Sequence, residues 1–240
     1  MIIEACVNSA ISAIEAQKGG ADRVELCENL HDGGTTPSAG AIRFARKNLH
    51  IRLFVMIRPR GGDFLYSDDE FEIMKEDIKV ARELGADGVV FGILKPDGTI
   101  DLERMKTLVD LACPMGITCH RAFDMTADPF QAMEDLITLG IDRILTSGQQ
   151  KTAPQGASLI LKLIQRSNGR IIIMPGSGVK EDNFEELIRK TGATEVHIHL
   201  EKQQPSRMIF KQPAVYMGIP DQSEFEHTLT DWERIRKMRR

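Results

Sequence analysis

The sequence predicts an α/β fold, a single-domain (β/α)₈ TIM barrel. Short apolar runs alternate with helix-length segments along the chain, and one phrase that begins with glycine recurs between them. The chain has 240 residues, of which 42% are hydrophobic, and this suits one large core better than two independent domains. We therefore expect residues 1–240 to form one domain, with the barrel over about residues 1–200.

The recurrent phrase marks junctions at which a helix ends and a strand begins. Each copy opens on glycine, a favoured residue just beyond a helix, and continues into a short β-rich run. The copies occupy residues 20–26, 85–91, 140–146 and 192–198. They predict the even-numbered strands of the barrel.

The odd-numbered strands are predicted by short apolar runs bounded by glycine or proline. These runs occupy residues 2–6, 52–57, 116–120 and 171–174. Helix starts support the count, because Thr36 before Pro37, a Ser67–Glu70 capping box and Asp128 before Pro129 each combine a capping oxygen with a favoured first-turn residue.

The chain continues beyond the barrel as a C-terminal extension over residues 201–240. Residues 201–222 contain proline and glutamine without periodicity, which predicts a long loop. A closing helix is expected to follow, because apolar residues recur at helical spacing between charges. Those residues are Phe225, Leu229, Trp232 and Ile235.

Composition restricts the class of partner. The formal charge is −4, so no broad basic field exists to hold nucleic acid or an anionic membrane. The first ten residues lack the basic and apolar regions of a signal peptide, and no stretch is apolar enough to span a bilayer. We expect a cytoplasmic protein, with no membrane or nucleic-acid partner, whose four cysteines are reduced thiols.

Polar residues recur with period two on the first two predicted strands. Glu4 and Cys6 share one face of the first strand, and Glu25 and Cys27 share one face of the second. Because a barrel interior normally holds branched apolar residues, these side chains are candidates for function.

Two further residues stand at the carboxyl ends of predicted strands, Arg58 after the third and His120 after the fifth. A buried charge is costly unless it is paired, so we expect Glu4, Glu25, Arg58 and His120 to form one linked network. Such a network could simply satisfy itself, but charges at the mouth of a barrel usually serve a ligand. Glu4, Glu25 and His120 are therefore candidate catalytic acids and bases.

Two loops supply candidate anion-binding groups. Arg58 and Arg60 flank a proline before two glycines, which suggests a clamp for carboxylate or phosphate, or else a rigid turn with solvated arginines. Gly176, Ser177 and Gly178 follow the seventh strand at the usual phosphate position of a TIM barrel, although any tight turn there uses glycine.

Several segments resemble the CutC copper homeostasis family. The resemblance rests on residues 24–27, 33–38, 57–64 with 66–68, 120–124 and 145–148. It implies a cytoplasmic TIM barrel, often a homodimer, that takes part in copper homeostasis and binds Cu(I) through Cys6 and Cys27. One departure is His197-Ile198-His199, where the family carries small residues, and bulky side chains there would crowd a bound phosphate.

Two functions remain open from the sequence. Cys6 and Cys27 are soft donors that suit Cu(I), which would then be the cofactor or cargo, although buried free cysteines are often small core residues. The alternative is an enzyme acting on a small phosphorylated or carboxylated substrate, held by the arginines and the 176–178 turn.

Overall fold

The computed structural model describes residues 1–212, 214–215, 217 and 223–239. Its central sheet contains eight parallel strands. They are β1 (Ile2–Val7), β2 (Arg23–Leu26), β3 (Arg52–Met56), β4 (Gly88–Phe91), β5 (Gly116–Cys119), β6 (Arg143–Thr146), β7 (Ile172–Pro175) and β8 (Glu195–Ile198). The recurrent phrases lead into β2, β4, β6 and β8, as the sequence predicts.

Helices follow the strands around the outside. They are α1 (Ala10–Gly19), α2 (Ala39–Asn48), α3 (Asp68–Glu83), α4 (Leu102–Ala112), α5 (Pro129–Thr138), α6 (Ala157–Ser167), α7 (Phe184–Thr191) and α8 (Trp232–Lys237). Strands pair in the order β7-β6-β5-β4-β3-β2-β1-β8, and β7 lies beside β8 to close the ring. The predicted (β/α)₈ barrel is confirmed.

The predicted helix starts are correct in two of three cases. Ser67 and Glu70 form a reciprocal capping box at α3, and Asp128 caps α5. The Thr36 prediction is wrong, because Ser38 caps α2 by accepting a hydrogen bond from the Ala41 amide. The Thr36 hydroxyl instead accepts the backbone N–H of Arg58 at 3.0 Å.

The extension contains a hairpin where the sequence predicts a loop. Strand β9 (Glu201–Pro205) pairs antiparallel with β10 (Glu226–Thr230). Strand β9 is polar and exposed on both faces, so it carries no apolar alternation that sequence reasoning could detect. The part of the predicted loop at 213, 216 and 218–222 lies outside the described residues.

The closing helix is present but shorter than its predicted apolar stripe. Leu229 lies in β10 and Phe225 in the turn before it, so neither belongs to the helix. The helix begins after Asp231, whose carboxylate caps it. Ile235 is buried against Gly19 of α1, where an added Cβ would come within 2.8 Å of the Ile235 Cβ.

One aromatic ring fills the amino-terminal end of the barrel. Phe54 on β3 is buried between two guanidinium groups, with those of Arg23 and Arg143 at 5.0 and 5.2 Å from its centroid. The facing positions on β4 and β5 are Gly88 and Gly116, and a Cβ on either would come within 3 Å of the ring. The glycines are therefore required by packing.

Substitution of Gly88 tests this packing. Gly88→Ala would put a methyl group 2.4 Å from the Phe54 ring, which the two arginines prevent from moving away. We expect a loss of about 1–3 kcal/mol in the free energy of unfolding, measured by urea denaturation.

Gly40→Ala is the matched control, because Gly40 is exposed in α2 and an added Cβ meets only Ser38 Oγ at 3.9 Å. It should stabilise the protein by roughly 0.5–1 kcal/mol through a lower entropy of the unfolded chain. An unchanged stability of Gly88→Ala would contradict the packing described for Phe54.

Candidate functional site

Four charged side chains form an ionic layer inside the barrel. Arg23 on β2 donates through Nε to Glu4 on β1 and through Nη2 to Glu195 on β8. Arg143 on β6 donates to the same Glu195 oxygen at 3.1 Å. All four residues are buried, so the layer joins strands from opposite sides of the barrel.

Glu4 connects the ionic layer to a histidine above it. Its Oε1 lies 2.7 Å from Nδ1 of His197, the residue opposite Glu4 on β8. Burial raises the pKa of Glu4, but the hydrogen bond with His197 and the charge of Arg23 outweigh burial and lower the pKa to about 2. Burial lowers the pKa of His197, but Glu25, Cys6 and Glu4 together raise it well above the usual range. His197 is therefore an imidazolium paired with a carboxylate.

A pair of thiols lies beside His197. The Sγ atoms of Cys6 and Cys27 are 4.0 Å apart, and both residues are buried. Cys27 Sγ lies 3.4 Å from Glu25 Oε2, and that oxygen is 3.8 Å from His197 Nε2. The thiols pack against apolar side chains of Phe54, Met56, Val90 and Leu30.

The electrostatics of the pair favour one thiolate. The hydrogen bond with Cys27 lowers the pKa of Cys6 well below the ordinary value, and His197 assists it against burial. The same hydrogen bond, together with burial, raises the pKa of Cys27. Burial and the negative charge of Cys6 raise the pKa of Glu25. Cys6 is therefore the more acidic of the two thiols, and the shifts favour a thiolate at Cys6 with protons on Cys27 and Glu25.

A cavity of about 200 Å³ opens above these groups at the carboxyl ends of the strands. We call it the mouth cavity. It is lined by Cys6, Glu25, Gly33, Met56, Arg58, Phe64, His120, Arg121, Leu145 and His197. Its position is the one at which TIM barrels carry their functional sites.

Arg58 enters the mouth cavity from the loop after β3. Its Nη1 donates to the carbonyls of Asp32 and Gly34 at 2.6 and 2.8 Å, and its Nη2 donates to the Gly62 carbonyl at 2.8 Å. The guanidinium therefore holds two loops together. Its Nε is buried and has no hydrogen-bond partner among the described residues.

His120 faces the same cavity with its tautomer fixed by the backbone. Its Nδ1 accepts the Ala122 N–H at 3.2 Å, so the proton of the neutral ring lies on Nε2. Burial and the nearby charge of Arg58 lower the pKa of His120 to about 3. The ring packs against Phe64 at a centroid distance of 4.9 Å. This environment favours a hydrogen-bond donor over the acid–base role expected from the sequence.

The predicted network of four residues does not form as expected. Glu4 pairs with Arg23 and His197 and lies below the mouth cavity, whereas Arg58 bonds to carbonyls. His120 forms no ion pair with any described carboxylate. The charges belong to two separate levels because successive inward side chains along a strand are two residues apart.

Arg60 and the Gly176–Gly178 turn are outside the mouth cavity. Arg60 pairs with Glu70 at 2.6 Å and with Asp63 at 3.1 Å. Gly176 packs against Leu145 and His197, and the Ser177 hydroxyl donates to the Lys151 carbonyl.

The helix after this turn begins beyond a short connecting segment. Helix α7 begins at Phe184, and a turn that contains Lys180 and Asn183 separates it from Gly178. The Gly178 carbonyl accepts the Asn183 side-chain amide at 2.9 Å, so the turn is bonded to the connecting segment. The structure therefore does not join the Gly176–Gly178 turn to a helix N-terminus.

Sequence reasoning missed Arg23 and Arg143, which open two of the glycine-led strands. Arg23 is two residues before Glu25 and four before Cys27, so the period of two that identified those residues also includes it. Phe64 was missed as a cavity residue because it lies in a loop, where no periodicity indicates direction.

Comparisons with known proteins identify relatives of this chain. A copper homeostasis protein cutC homolog of Homo sapiens is 47% identical over 238 residues, covering 99% of this chain and 87% of that protein. A CutC family protein of Parabacteroides distasonis is 50% identical over 237 residues, covering 98% of each. A crystal structure of a copper homeostasis protein CutC from Streptococcus agalactiae has a TM-score of 0.79 at 38% identity, covering 82% of this chain and 97% of that one.

More distant structures share the fold alone. A thiamine phosphate pyrophosphorylase from Pyrococcus furiosus superposes with a TM-score of 0.55 at 15% identity, covering 82% of this chain and 85% of that one. The CutC family model matches residues 1–202, which include all eight barrel strands and every residue of the mouth cavity. The chain therefore belongs to the CutC family.

Proposed function

We propose that this protein acts in copper homeostasis by binding Cu(I) between Cys6 and Cys27. The observation that carries the proposal is the 4.0 Å separation of the two Sγ atoms. A metal–thiolate bond is about 2.3 Å for zinc, so one ion can bridge sulfurs up to about 4.6 Å apart. The pair therefore needs little movement to hold one ion.

The donor set favours Cu(I) over harder ions. Thiolate and thioether sulfurs are the ligands that Cu(I) prefers, and the Met56 side chain packs in the same cluster as the two thiols. Glu25 completes a group whose ligand atoms lie within 4.8 Å of one another. Structural zinc normally takes four protein ligands, whereas this group contains three residues.

His197 and Glu4 support the thiols from below. Metal affinity depends on the deprotonated form of cysteine, and the positive His197 stabilises a thiolate at Cys6. Glu4 in turn holds His197 by the 2.7 Å contact. Supporting contacts of this kind orient metal ligands and raise metal affinity.

Cu(I) titration under anaerobic, reducing conditions tests the proposal. We expect one ion per chain in competition with a Cu(I) chelator, and a loss of more than about 100-fold in affinity for Cys6→Ser and for Cys27→Ser, because removal of a ligand costs more than removal of a supporting contact.

Cys113→Ser is the matched control, because Cys113 is exposed at the end of α4. This variant should bind Cu(I) with the affinity of the wild type. Wild-type affinity in the Cys6→Ser, Cys27→Ser double variant would contradict the assigned ligands.

The family resemblance also predicts a cytoplasmic homodimer, and we propose both. No helix among the described residues is long and apolar enough to cross a membrane. Met208, Ile209 and Phe210 expose three consecutive apolar side chains beyond β9, a kind of surface that protein contacts often cover.

Sedimentation equilibrium measures the oligomeric state directly. We expect twice the mass of one chain for the wild type and dissociation for Ile209→Asp, because a buried carboxylate would disfavour the contact. Ile11→Asp, the same substitution at a half-exposed position on α1, is the control and should remain dimeric. A monomeric wild type would contradict the proposed dimer.

A further inference from the structure

The mouth cavity contains polar atoms that the protein itself leaves without partners. Four buried side-chain atoms among the described residues lack a hydrogen-bond partner, and three of them belong to cavity residues. These are His120 Nε2, Arg58 Nε and Glu25 Oε1, and the fourth is the hydroxyl of Tyr66 beside Arg58. Unpaired buried polar atoms cost stability, and three of these atoms belong to residues that line one cavity, which points to a ligand there.

Arg58 supplies a positive charge that the described residues do not neutralise. It is 4% exposed, and its hydrogen-bond partners among these residues are neutral carbonyl oxygens. Arg60, in contrast, is paired with two carboxylates. A buried unpaired charge is unfavourable, so the site is suited to an anion. Arg121 lines the same cavity and adds a second guanidinium.

His120 adds a neutral donor of fixed direction. Because its Nδ1 accepts the Ala122 N–H, its Nε2–H is the group left for a ligand oxygen. Gly92 allows this position, since a Cβ there would come within 3.0 Å of the His120 ring. A neutral imidazole donor beside a guanidinium is suited to the two oxygens of a carboxylate.

The remaining walls define the rest of the ligand. Glu25 Oε1 can donate to or accept from a hydroxyl group, depending on where its proton lies. Phe64, Met56 and Leu145 supply apolar contact for a short carbon skeleton. The volume of about 200 Å³ is below the range of about 300–1,000 Å³ that is usual for ligand pockets, which favours a small metabolite.

We propose that the mouth cavity binds a small hydroxycarboxylate, with its carboxylate toward Arg58 and His120 and its hydroxyl toward Glu25. This site goes beyond the proposed copper function, and the two share the walls formed by Cys6, Glu25, Met56 and His197. The thiol Cys27 belongs to the copper cluster and does not line the mouth cavity.

Isothermal titration of the metal-free, reduced protein with D-glycerate, glycolate and L-lactate tests the site. We expect saturable binding of at least one of these, with propionate weaker than L-lactate because it lacks the hydroxyl. Nitrogen-15 NMR should report a shift of the His120 Nε2–H on binding, and this observation needs no variant. No detectable binding of any of the three compounds, or binding of inorganic phosphate alone, would overturn the proposal.

Two variants of one residue separate its roles. His120→Asn keeps an acceptor near Nδ1 for the Ala122 N–H and removes the Nε2 donor, so binding should weaken about tenfold or more. His120→Gln places an amide N–H near the Nε2 position and should retain more affinity. His50→Asn, at an exposed histidine before β3, is the matched control and should bind as the wild type. Equal affinity in His120→Asn and wild type would overturn the assigned donor.

Each of the two proposed sites can be removed by a variant that leaves binding at the other site intact. Cys27→Ser should lose Cu(I) and keep hydroxycarboxylate binding, whereas His120→Asn should do the reverse. Loss of hydroxycarboxylate binding in Cys27→Ser would overturn the separation of the two sites. Loss of Cu(I) alone in that variant leaves both proposals in agreement with the data.

Discussion

The ion pairs of Arg23 with Glu4 and Glu195 are the interaction on which the barrel interior depends. They connect β1, β2 and β8, and Arg143 extends them to β6. Burying such charges is expensive, and removing one partner leaves another without compensation. The layer therefore fixes which residues face inward on four strands, and Phe54 packs between its two arginines.

The charge of this layer determines the chemistry above it. Arg23, Arg143 and the imidazolium of His197 exceed the carboxylates Glu4 and Glu195 by one positive charge. One negative charge on Cys6 or Glu25 would neutralise that excess, and the opposite pKa shifts of these two groups favour Cys6 as its carrier. The cluster therefore prepares one thiolate, and an incoming cuprous ion would replace the proton of Cys27.

The fold could be predicted from the sequence because the residues that indicate each strand lie close together along the chain. Glycine at the end of each preceding helix and the β-rich run after it mark a junction within seven residues. The β9–β10 hairpin was not accessible, because its pairing joins Glu201 to Thr230 across a polar segment. The N-cap of α2 was assigned to Thr36 instead of Ser38, since the competing bond from the Arg58 amide comes from a distant strand.

The sequence predicts which residues belong to the candidate site, but it does not predict which of them form hydrogen bonds and ion pairs with one another. Period two identified Glu4, Cys6, Glu25 and Cys27 as inward side chains, and the structure places them in two groups that share Glu25. The direction of Arg60 depends on its pairing with Glu70 in α3, which no strand pattern encodes. Tertiary contacts determine where loop side chains point. For that reason only one of the two arginines predicted to bind an anion, Arg58, lines the cavity, whereas Arg60 lies outside it.

In the metal-free protein, the hydrogen bond with Cys27 and the charge of His197, which Glu4 holds in place, keep Cys6 as a thiolate. The most direct measurement is the ultraviolet absorbance of thiolate against pH, taken as the difference between wild type and Cys6→Ser. We expect the Cys6 signal to appear well below pH ~8.5, the ordinary pKa of cysteine, because the hydrogen bond from Cys27 and the charge of His197 stabilise the anion. A Cys6 signal that appears only at or above that pH would contradict the assignment of this thiolate.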